Sequence, residues 1–292
     1  MESERYNQHE RISPTAWIVA RQRTLTDIPY SQEVFDELQR IMKATRSAEE
    51  MKKLEDLFEP EITPFMEARV RLVNRLLKER GAKQILELAA GFSQRGMEMT
   101  QNPAITFVEM DLPGIIKEKK GIMETLVASS KISPRPNLHF YDGDALDEND
   151  LSVATKIFKK EPIAVVCEGL MSYMNFEEKA KMAANVHRLL TTFGGAWITP
   201  DLSLWSKGKT QTVNNQVTAI TGIDKQKISF ENEEAARAFF EGQGFAVESH
   251  SFKEVLGELS SPEKLGLSRE RTIEILGARA VFVMTPQNNS RK

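Results

Sequence analysis

Residues 1–82 carry apolar side chains at helical spacing. Ser47 and Glu50 form a capping-box pattern. Thr63 followed by Pro64 predicts the N-cap and first turn of a further helix, which ends near Gly81. Two stretches repeat the spacing of one helix face, namely Val34, Phe35, Leu38, Ile41 and Met42, and then Met51, Leu54, Leu57 and Phe58. The pattern predicts an N-terminal helical cap over residues 1–82.

From Gln84 the pattern changes to short apolar runs that alternate with helical stretches. Asn175 with Glu178, and later Asn232, predict the starts of two of these helices. Seven runs are candidate strands, namely QILEL, ITFVEM, LHFYD, IAVVCE, AWITPD, FAVESHSF and ARAVFVM. This alternation is typical of an α/β fold, and it predicts a doubly wound sheet within residues 83–286.

The connection over residues 202–230 is long and polar, and it contains Trp205 and Asn214. Connections of this length without a strand or helix pattern are usually functional or disordered. We therefore expect a lid inserted into the α/β domain at 202–230. Residues 287–292 form a polar tail that we expect to fray.

Composition and charge exclude several classes of protein. The formal net charge is −3, and the charged residues are spread along the chain, which does not indicate a nucleic-acid partner. Cys167 is the only cysteine and the four histidines are scattered, so we expect no disulfide within the chain and no metal site. The N-terminus is polar, and the apolar runs are far shorter than the about 20 residues that span a bilayer. We expect a cytoplasmic protein without a membrane partner.

Small residues follow the first predicted strand, in the stretch ILELAAGFSQRG. Small side chains at such a turn allow a nucleotide-like ligand to approach the backbone amides. The stretch lacks the GxGxxG pattern, because Ala89 and Gln94 occupy glycine positions. On its own it is equally typical of a tight strand-to-helix turn.

Acidic residues end several successive predicted strands. The second strand ends about 20 positions after Glu87, the usual distance to a carboxylate that binds ribose hydroxyls. The acidic residues are Asp111 or Glu109 on this strand, Asp142 and Asp144 after the third, and Glu168 after the fourth. Because the carboxyl ends of parallel strands meet at one edge of a sheet, these residues predict a ligand site there.

Five stretches occur in the order ISPTA, EARVRL, LELAAGFSQR, VEMDLP and CEGLMSYM. Together they resemble the leucine carboxyl methyltransferase family of class I S-adenosylmethionine-dependent methyltransferases, over most of the chain from Ile12 to Phe282. The chain is most similar to the bacterial branch that includes the tetracenomycin polyketide O-methyltransferase. The resemblance implies a class I methyltransferase fold with a seven-stranded, mostly parallel sheet.

The resemblance also implies a cofactor, S-adenosylmethionine, whose product is S-adenosylhomocysteine, and no metal. It places Arg69 on the methionine carboxylate of the cofactor, Glu168 near the methionine amino group, and Asp111 on the ribose. A planar guanidinium suits the first contact. The remaining residues expected at the cofactor are Glu87, Gly91, Asp144 and Ala145.

Two positions depart from the family pattern. The first loop of the family usually reads Gly-Ala-Gly-Leu-Asp-Thr-Arg, whereas this chain has Ala89 at its first position and reads AAGFSQR. The extra methyl group narrows the expected cofactor site. Eukaryotic members have a cofactor-binding lysine near the N-terminus that aligns here with Trp17, which argues against a phosphatase tail as the substrate.

The expected reaction is methyl transfer to an oxygen of a small, polyketide-like acceptor, with a carboxylate as the expected group. A carboxylate, with a pKa of about 4, needs no general base, whereas a phenol, with a pKa of about 10, would benefit from one. We therefore expect catalysis by positioning, with Tyr173 as the one candidate catalytic side chain. Candidate acceptor contacts in the cap and lid are Arg21, Arg23, Tyr30, Tyr173, Trp205 and Asn214.

The sequence leaves several alternatives open. The acceptor could also be a phenolic hydroxyl or the C-terminal carboxylate of a protein. A nicotinamide-dependent oxidoreductase uses a similar strand, turn and ribose carboxylate, but the missing glycine pattern argues against it. A non-catalytic cofactor-binding module is consistent with the change at Ala89. The oligomeric state is not predicted.

Overall fold

The structure is a computed structural model that describes residues 13–202, Leu204 and residues 224–287. Helices α1–α4 precede the sheet at Ser13–Thr24, Ser31–Thr45, Ala48–Asp56 and Thr63–Glu79. Helices α5–α8 follow at Arg95–Met99, Pro113–Ala128, Glu148–Ala154 and Phe176–Phe193, and α9–α12 at Lys225–Ile228, Glu233–Gly242, Ser261–Lys264 and Arg269–Leu276. Within the described part of the chain, no helix combines the length and apolar character needed to cross a bilayer.

Seven strands form one sheet with the order β3-β2-β1-β4-β5-β7-β6. Strands β1–β5 are parallel to one another, and β7 runs antiparallel between β5 and β6. The strands are Gln84–Leu88, Thr106–Asp111, Leu138–Asp142, Ile163–Cys167, Gly195–Thr199, Phe245–Ser251 and Ala280–Pro286. The predicted doubly wound, mostly parallel sheet is confirmed, and each predicted run overlaps one strand.

The sheet is buried on both faces, because helices cover each of them. Strands β1 and β4 lie at its centre, and every residue in them is buried. On one face Ile85 and Phe107 pack with the N-terminal helices, and on the other Leu86 and Trp197 pack with α8 and α10. The carboxyl ends of β1, β2 and β4 are left beneath α1 and α4, where a ligand can enter.

Most predicted helix starts are confirmed. Capping boxes form at Ser47 with Glu50 and at Asn175 with Glu178, and the Asn232 side chain accepts from the backbone N–H of Ala235. The N-cap predicted at Thr63 is wrong. A 3₁₀ turn at Pro60–Ile62 leads directly into α4, so Thr63 is already helical and its hydroxyl donates to the Pro60 carbonyl.

Candidate active site

A cavity of about 220 Å³ lies at the carboxyl ends of the central strands. Its floor is the loop of residues 89–93 after β1, Asp111 and Leu112 at the end of β2, and Glu168 and Gly169 after β4. Helices α1 and α4 form its walls. The sequence predicted that acidic residues at the strand ends lie together at one ligand site. Asp111 and Glu168 do lie together in this cavity.

Three arginines surround the carboxylate of Glu168. Its Oε1 lies 3.3 Å from Arg23 Nη2 and 3.6 Å from Arg69 Nε, and its Oε2 accepts from Arg95 Nη2 at 2.8 Å. Burial alone would raise the pKa of Glu168, but the guanidiniums of Arg69, Arg95 and Arg23 lower it to about 2. Glu168 is therefore a permanent anion, and it cannot serve as a proton donor or acceptor near neutral pH.

Arg95 lies beneath the cavity and holds the Glu168 carboxylate in place. The sequence assigned no role to this arginine. Its side chain is fully buried and also pairs with Glu87 and with Asn74 Oδ1, the latter at 2.7 Å. The neighbouring Gly96 is required, because a Cβ there would collide with the Glu109 carboxylate. The only signal in the sequence was an arginine directly after the loop that follows β1.

Asp111 fixes the middle of the cavity. Its Oδ2 accepts from the Gly91 N–H at 2.6 Å and its Oδ1 from the Leu112 N–H at 2.7 Å. Burial raises the pKa of Asp111, and these two donors oppose that shift. A direct hydrogen bond therefore joins Asp111 to the loop after β1, a contact that the sequence did not predict. The remaining lone pairs of the carboxylate are available to a hydroxyl-bearing ligand.

A second, smaller cavity of about 40 Å³ continues from the first. Ala89, Asp111 and Leu112 line both cavities, and Asp144 and Ala145 line only the smaller one. The structure thus brings Arg69, Gly91, Asp111, Asp144, Ala145 and Glu168 to one continuous cleft. Ala89 lines both cavities and so lies where they meet. The narrowing expected from its methyl group stays a prediction.

Ala89 adopts the left-handed backbone conformation, with φ 51°. This conformation costs an alanine about 1–2 kcal/mol relative to the right-handed region, and glycine adopts it freely. Glycine also adds entropy to the unfolded chain, which cancels about 0.4–1 kcal/mol of this gain in stability. We expect Ala89→Gly to raise the free energy of unfolding by about 0.5–1 kcal/mol, measured by urea denaturation.

The matched control is Ala90→Gly, because Ala90 is also buried in this loop but does not have a positive φ. That substitution adds unfolded-state entropy and removes a buried methyl group, so it is expected to lower stability by about 1–2 kcal/mol. Equal losses in both variants would contradict the strain at Ala89.

The predicted acceptor contacts are only partly brought together. Arg23 and Tyr173 line the larger cavity. The Tyr30 hydroxyl instead accepts from Gln101 Nε2 at 2.7 Å and from Arg135 Nη2 at 3.2 Å, outside the cavity. The Arg21 guanidinium lies 4.1 Å from the centre of the Phe58 ring, away from the lining. Trp205 and Asn214 lie outside the described residues.

Two acidic residues lie beneath the cleft rather than in it. Glu87 lines neither cavity, because its carboxylate is turned to Arg95. Glu109 is fully buried against Lys119, and burial raises its pKa to about 7 although the lysine opposes this. The alternative between Asp111 and Glu109 as the residue in the cleft is thus resolved in favour of Asp111, and Glu87 supports the site through Arg95.

Asp201, after β5, is a further residue that the sequence analysis missed. Its buried carboxylate accepts from the backbone N–H groups of Met171 and of Ser172, the latter at 3.4 Å. These residues belong to the 3₁₀ turn Met171–Tyr173, which brings Ser172 and Tyr173 to the cavity. Asp201 therefore holds one wall of the site.

The cleft is suited to one elongated ligand. At one end Arg69 and Glu168 offer opposite charges, which match the carboxylate and ammonium of an amino acid. The Nε of Arg69 is buried without a hydrogen-bond partner among the described residues. Asp111 suits a diol at the middle, and the small cavity beside Ala145 suits a flat ring.

The described lining of the larger cavity contains none of the basic side chains that usually accept protons. Within the described residues, neither a histidine nor a lysine lines it. Cys167 is a core residue in β4, where burial raises the pKa of its thiol well above the usual value. In the same residues, no group of three or more His, Cys, Asp or Glu side chains is placed to hold a metal ion.

Comparison with known proteins assigns this chain to a family. A model of the family described as leucine carboxyl methyltransferase matches residues 14–187, which include α1, α4 and β1–β4. A protein of Parafrankia sp., named as an S-adenosyl-L-methionine-dependent methyltransferase, is 28% identical over 112 residues. That match covers 38% of this chain and 35% of the relative, so the chain matches about a third of the relative's length.

Two solved structures share the fold. A protein of the DUF574 family from Streptomyces avermitilis is 14% identical, with 94% of this chain and 97% of that chain covered and a TM-score of 0.54. A protein from Thermobifida fusca described as a methyltransferase is also 14% identical, with 83% and 90% covered and a TM-score of 0.55. At these identities the likeness concerns the fold alone.

Proposed function

The chain belongs to the leucine carboxyl methyltransferase family of S-adenosylmethionine-dependent methyltransferases, and from this premise we propose that it methylates a carboxylate oxygen of a small acceptor. The family membership supports S-adenosylmethionine as the cofactor and methyl transfer as the class of reaction. The lining of the cavity supports the choice of a carboxylate.

The residues of the cleft fit S-adenosylmethionine along its length. Arg69 would hold the methionine carboxylate and Glu168 the ammonium, because these two side chains face one another across less than 4 Å. Asp111, already fixed by the Gly91 N–H, would accept from the ribose hydroxyls. Asp144 and Ala145 would flank the adenine in the smaller cavity.

The described lining residues support the choice of acceptor. No histidine or lysine is found among them, Glu168 is paired with three arginines, and both oxygens of Asp111 accept from backbone N–H groups. A phenol would have to lose a proton with a pKa of about 10, whereas a carboxylate is deprotonated at neutral pH. An acceptor that brings its own negative charge is the one this cavity can use.

Positioning would then account for the rate. Bound S-adenosylmethionine supplies a methyl group on a cationic sulfur, so that an O–CH₃ bond forms while the S–CH₃ bond breaks and its electron pair stays on sulfur. No proton moves. Helices α1 and α4 border the cavity, and ligands that fill it would displace water, which would strengthen the attraction between the acceptor anion and the cations around it.

The proposal is tested with a panel of acids and phenols incubated with the protein and methyl-labelled S-adenosylmethionine. Methyl esters detected by mass spectrometry, which release methanol on mild alkaline hydrolysis, are the expected products. Each acid is paired with its reduced alcohol as a control. Label found only in alkali-stable ethers would contradict the carboxylate assignment and favour a phenolic acceptor.

A further inference from the structure

Buried charged side chains surround the larger cavity. Among the described residues, Arg23, Arg69, Asp111 and Glu168 line it, and Arg95 lies beneath them between Glu168 and Glu87. The side chains of Glu168 and its three arginines are at most 14% exposed. Buried charges are stable only when paired, so any net charge that a ligand brings must be compensated.

The proposed cofactor leaves one positive charge uncompensated. Its ammonium and sulfonium carry two positive charges and its carboxylate one negative charge. Glu168 Oε1 is shared between Arg23 and Arg69 in the protein alone. If Arg69 binds the carboxylate of the cofactor and Glu168 binds its ammonium, then Arg23 loses its principal counter-ion. The loaded cavity therefore favours one further anion, and Arg23 is the cation left to meet it.

Arg23 stands at the end of an apolar stripe on α1. Ala16, Val19, Ala20 and Arg23 follow the spacing of one helix face, and all four line the cavity. The small side chains of Ala16 and Ala20 leave room beside the guanidinium. The stripe thus offers an apolar wall with a cation at one end, which matches an apolar molecule that ends in an acid.

We propose that Arg23 binds the carboxylate of the methyl acceptor and selects an acid with an apolar body, an inference that rests on the proposed function. One acceptor oxygen accepts from Arg23 while the other is methylated. The ester that forms carries no charge, so its attraction to Arg23 is lost and release of the product is favoured. The Nε of Arg23 is buried without a partner among the described residues, which leaves it a donor for this oxygen.

The test uses benzoate and its uncharged analogue benzamide as probes of the full chain saturated with S-adenosylhomocysteine. Isothermal titration calorimetry is expected to show benzoate binding at least about tenfold more tightly than benzamide, since a charge-assisted hydrogen bond is lost with the amide. Arg23→Gln is expected to abolish this preference. Arg23→Lys keeps the charge and is expected to retain part of it.

The affinity for S-adenosylhomocysteine separates the possible outcomes. In Arg23→Gln it is expected to change by less than about threefold, whereas Arg69→Gln lowers it by tenfold or more. An equal loss in the two variants would make Arg23 a cofactor ligand and overturn the inference, as would an undiminished benzoate preference in Arg23→Gln or no preference in the parent. A parent that does not bind S-adenosylhomocysteine would instead contradict the proposed function. Thermal unfolding of both Arg23 variants checks that they are folded.

Discussion

Glu168→Gln is expected to lower the free energy of unfolding by about 3–5 kcal/mol near pH 7. Glutamine has nearly the same shape as glutamate, so packing is retained. The loss arises because Arg23, Arg69 and Arg95 would be left around a buried neutral side chain, with only Glu87 to compensate them. Urea denaturation of the parent and the variant measures the difference. The matched control is Glu248→Gln, which breaks an exposed ion pair with Arg80 and is expected to cost less than about 1 kcal/mol.

The pH dependence of this difference follows from the low pKa of Glu168. Its folded-state pKa of about 2 lies below the ordinary value of 4.5, so the unfolded state binds more protons between these two values. The stabilisation by the ionised carboxylate is therefore complete above pH 4.5 and is lost as the pH falls toward 2. We expect the gap between the parent and Glu168→Gln to shrink over that range. A gap that does not change with pH would show that Glu168 is not held as an anion.

Arg69→Gln is expected to weaken the binding of S-adenosylhomocysteine by about tenfold to a hundredfold. The Arg69 side chain lines the cavity and faces Glu168 at 3.6 Å, so it is placed to bind a carboxylate beside the ammonium subsite. Its removal leaves that carboxylate without its charged donor. Isothermal titration calorimetry gives the dissociation constants directly.

Arg75→Gln is the matched control for this measurement. Arg75 lies on the same helix but pairs with the surface residues Glu254 and Glu258, outside the cavity. Its substitution should leave the dissociation constant of S-adenosylhomocysteine unchanged. A variant of Arg69 that binds as tightly as the parent would remove this residue from the cofactor site.

The fold could be predicted from the sequence because its signals are local. Alternation of apolar runs with helical stretches marked all seven strands, and side-chain caps at Ser47, Asn175 and Asn232 marked helix starts. Thr63 shows the limit of such signals. A threonine before a proline suggests an N-cap, but whether the preceding residues form a 3₁₀ turn depends on packing, here on the contact of the Thr63 hydroxyl with Gln22.

The site was less predictable because it depends on side chains that are far apart in the chain. The strand ends identified Asp111 and Glu168, but nothing local distinguished Asp111 from Glu109, which lie two residues apart on the same face of β2. Asp111 ends the strand at the cleft and binds the Gly91 N–H, whereas Glu109 is buried against Lys119. Arg95 pairs with residues that precede it by 8 positions and follow it by 73. Tyr30, placed near the acceptor by its position in the cap, instead bonds to Arg135 outside the cavity.

Thermal unfolding of the parent protein with each of four ligands tests whether the cleft binds S-adenosylmethionine. S-adenosylhomocysteine, S-adenosylmethionine, NADH and NADPH are compared at equal concentration. A ligand at about 100 times its dissociation constant adds about 2.7 kcal/mol to the stability of the folded state. We expect the two sulfur nucleotides to stabilise the folded protein and the two nicotinamide cofactors to leave its stability unchanged. Stabilisation by a nicotinamide cofactor alone, or by none of the four, would contradict it.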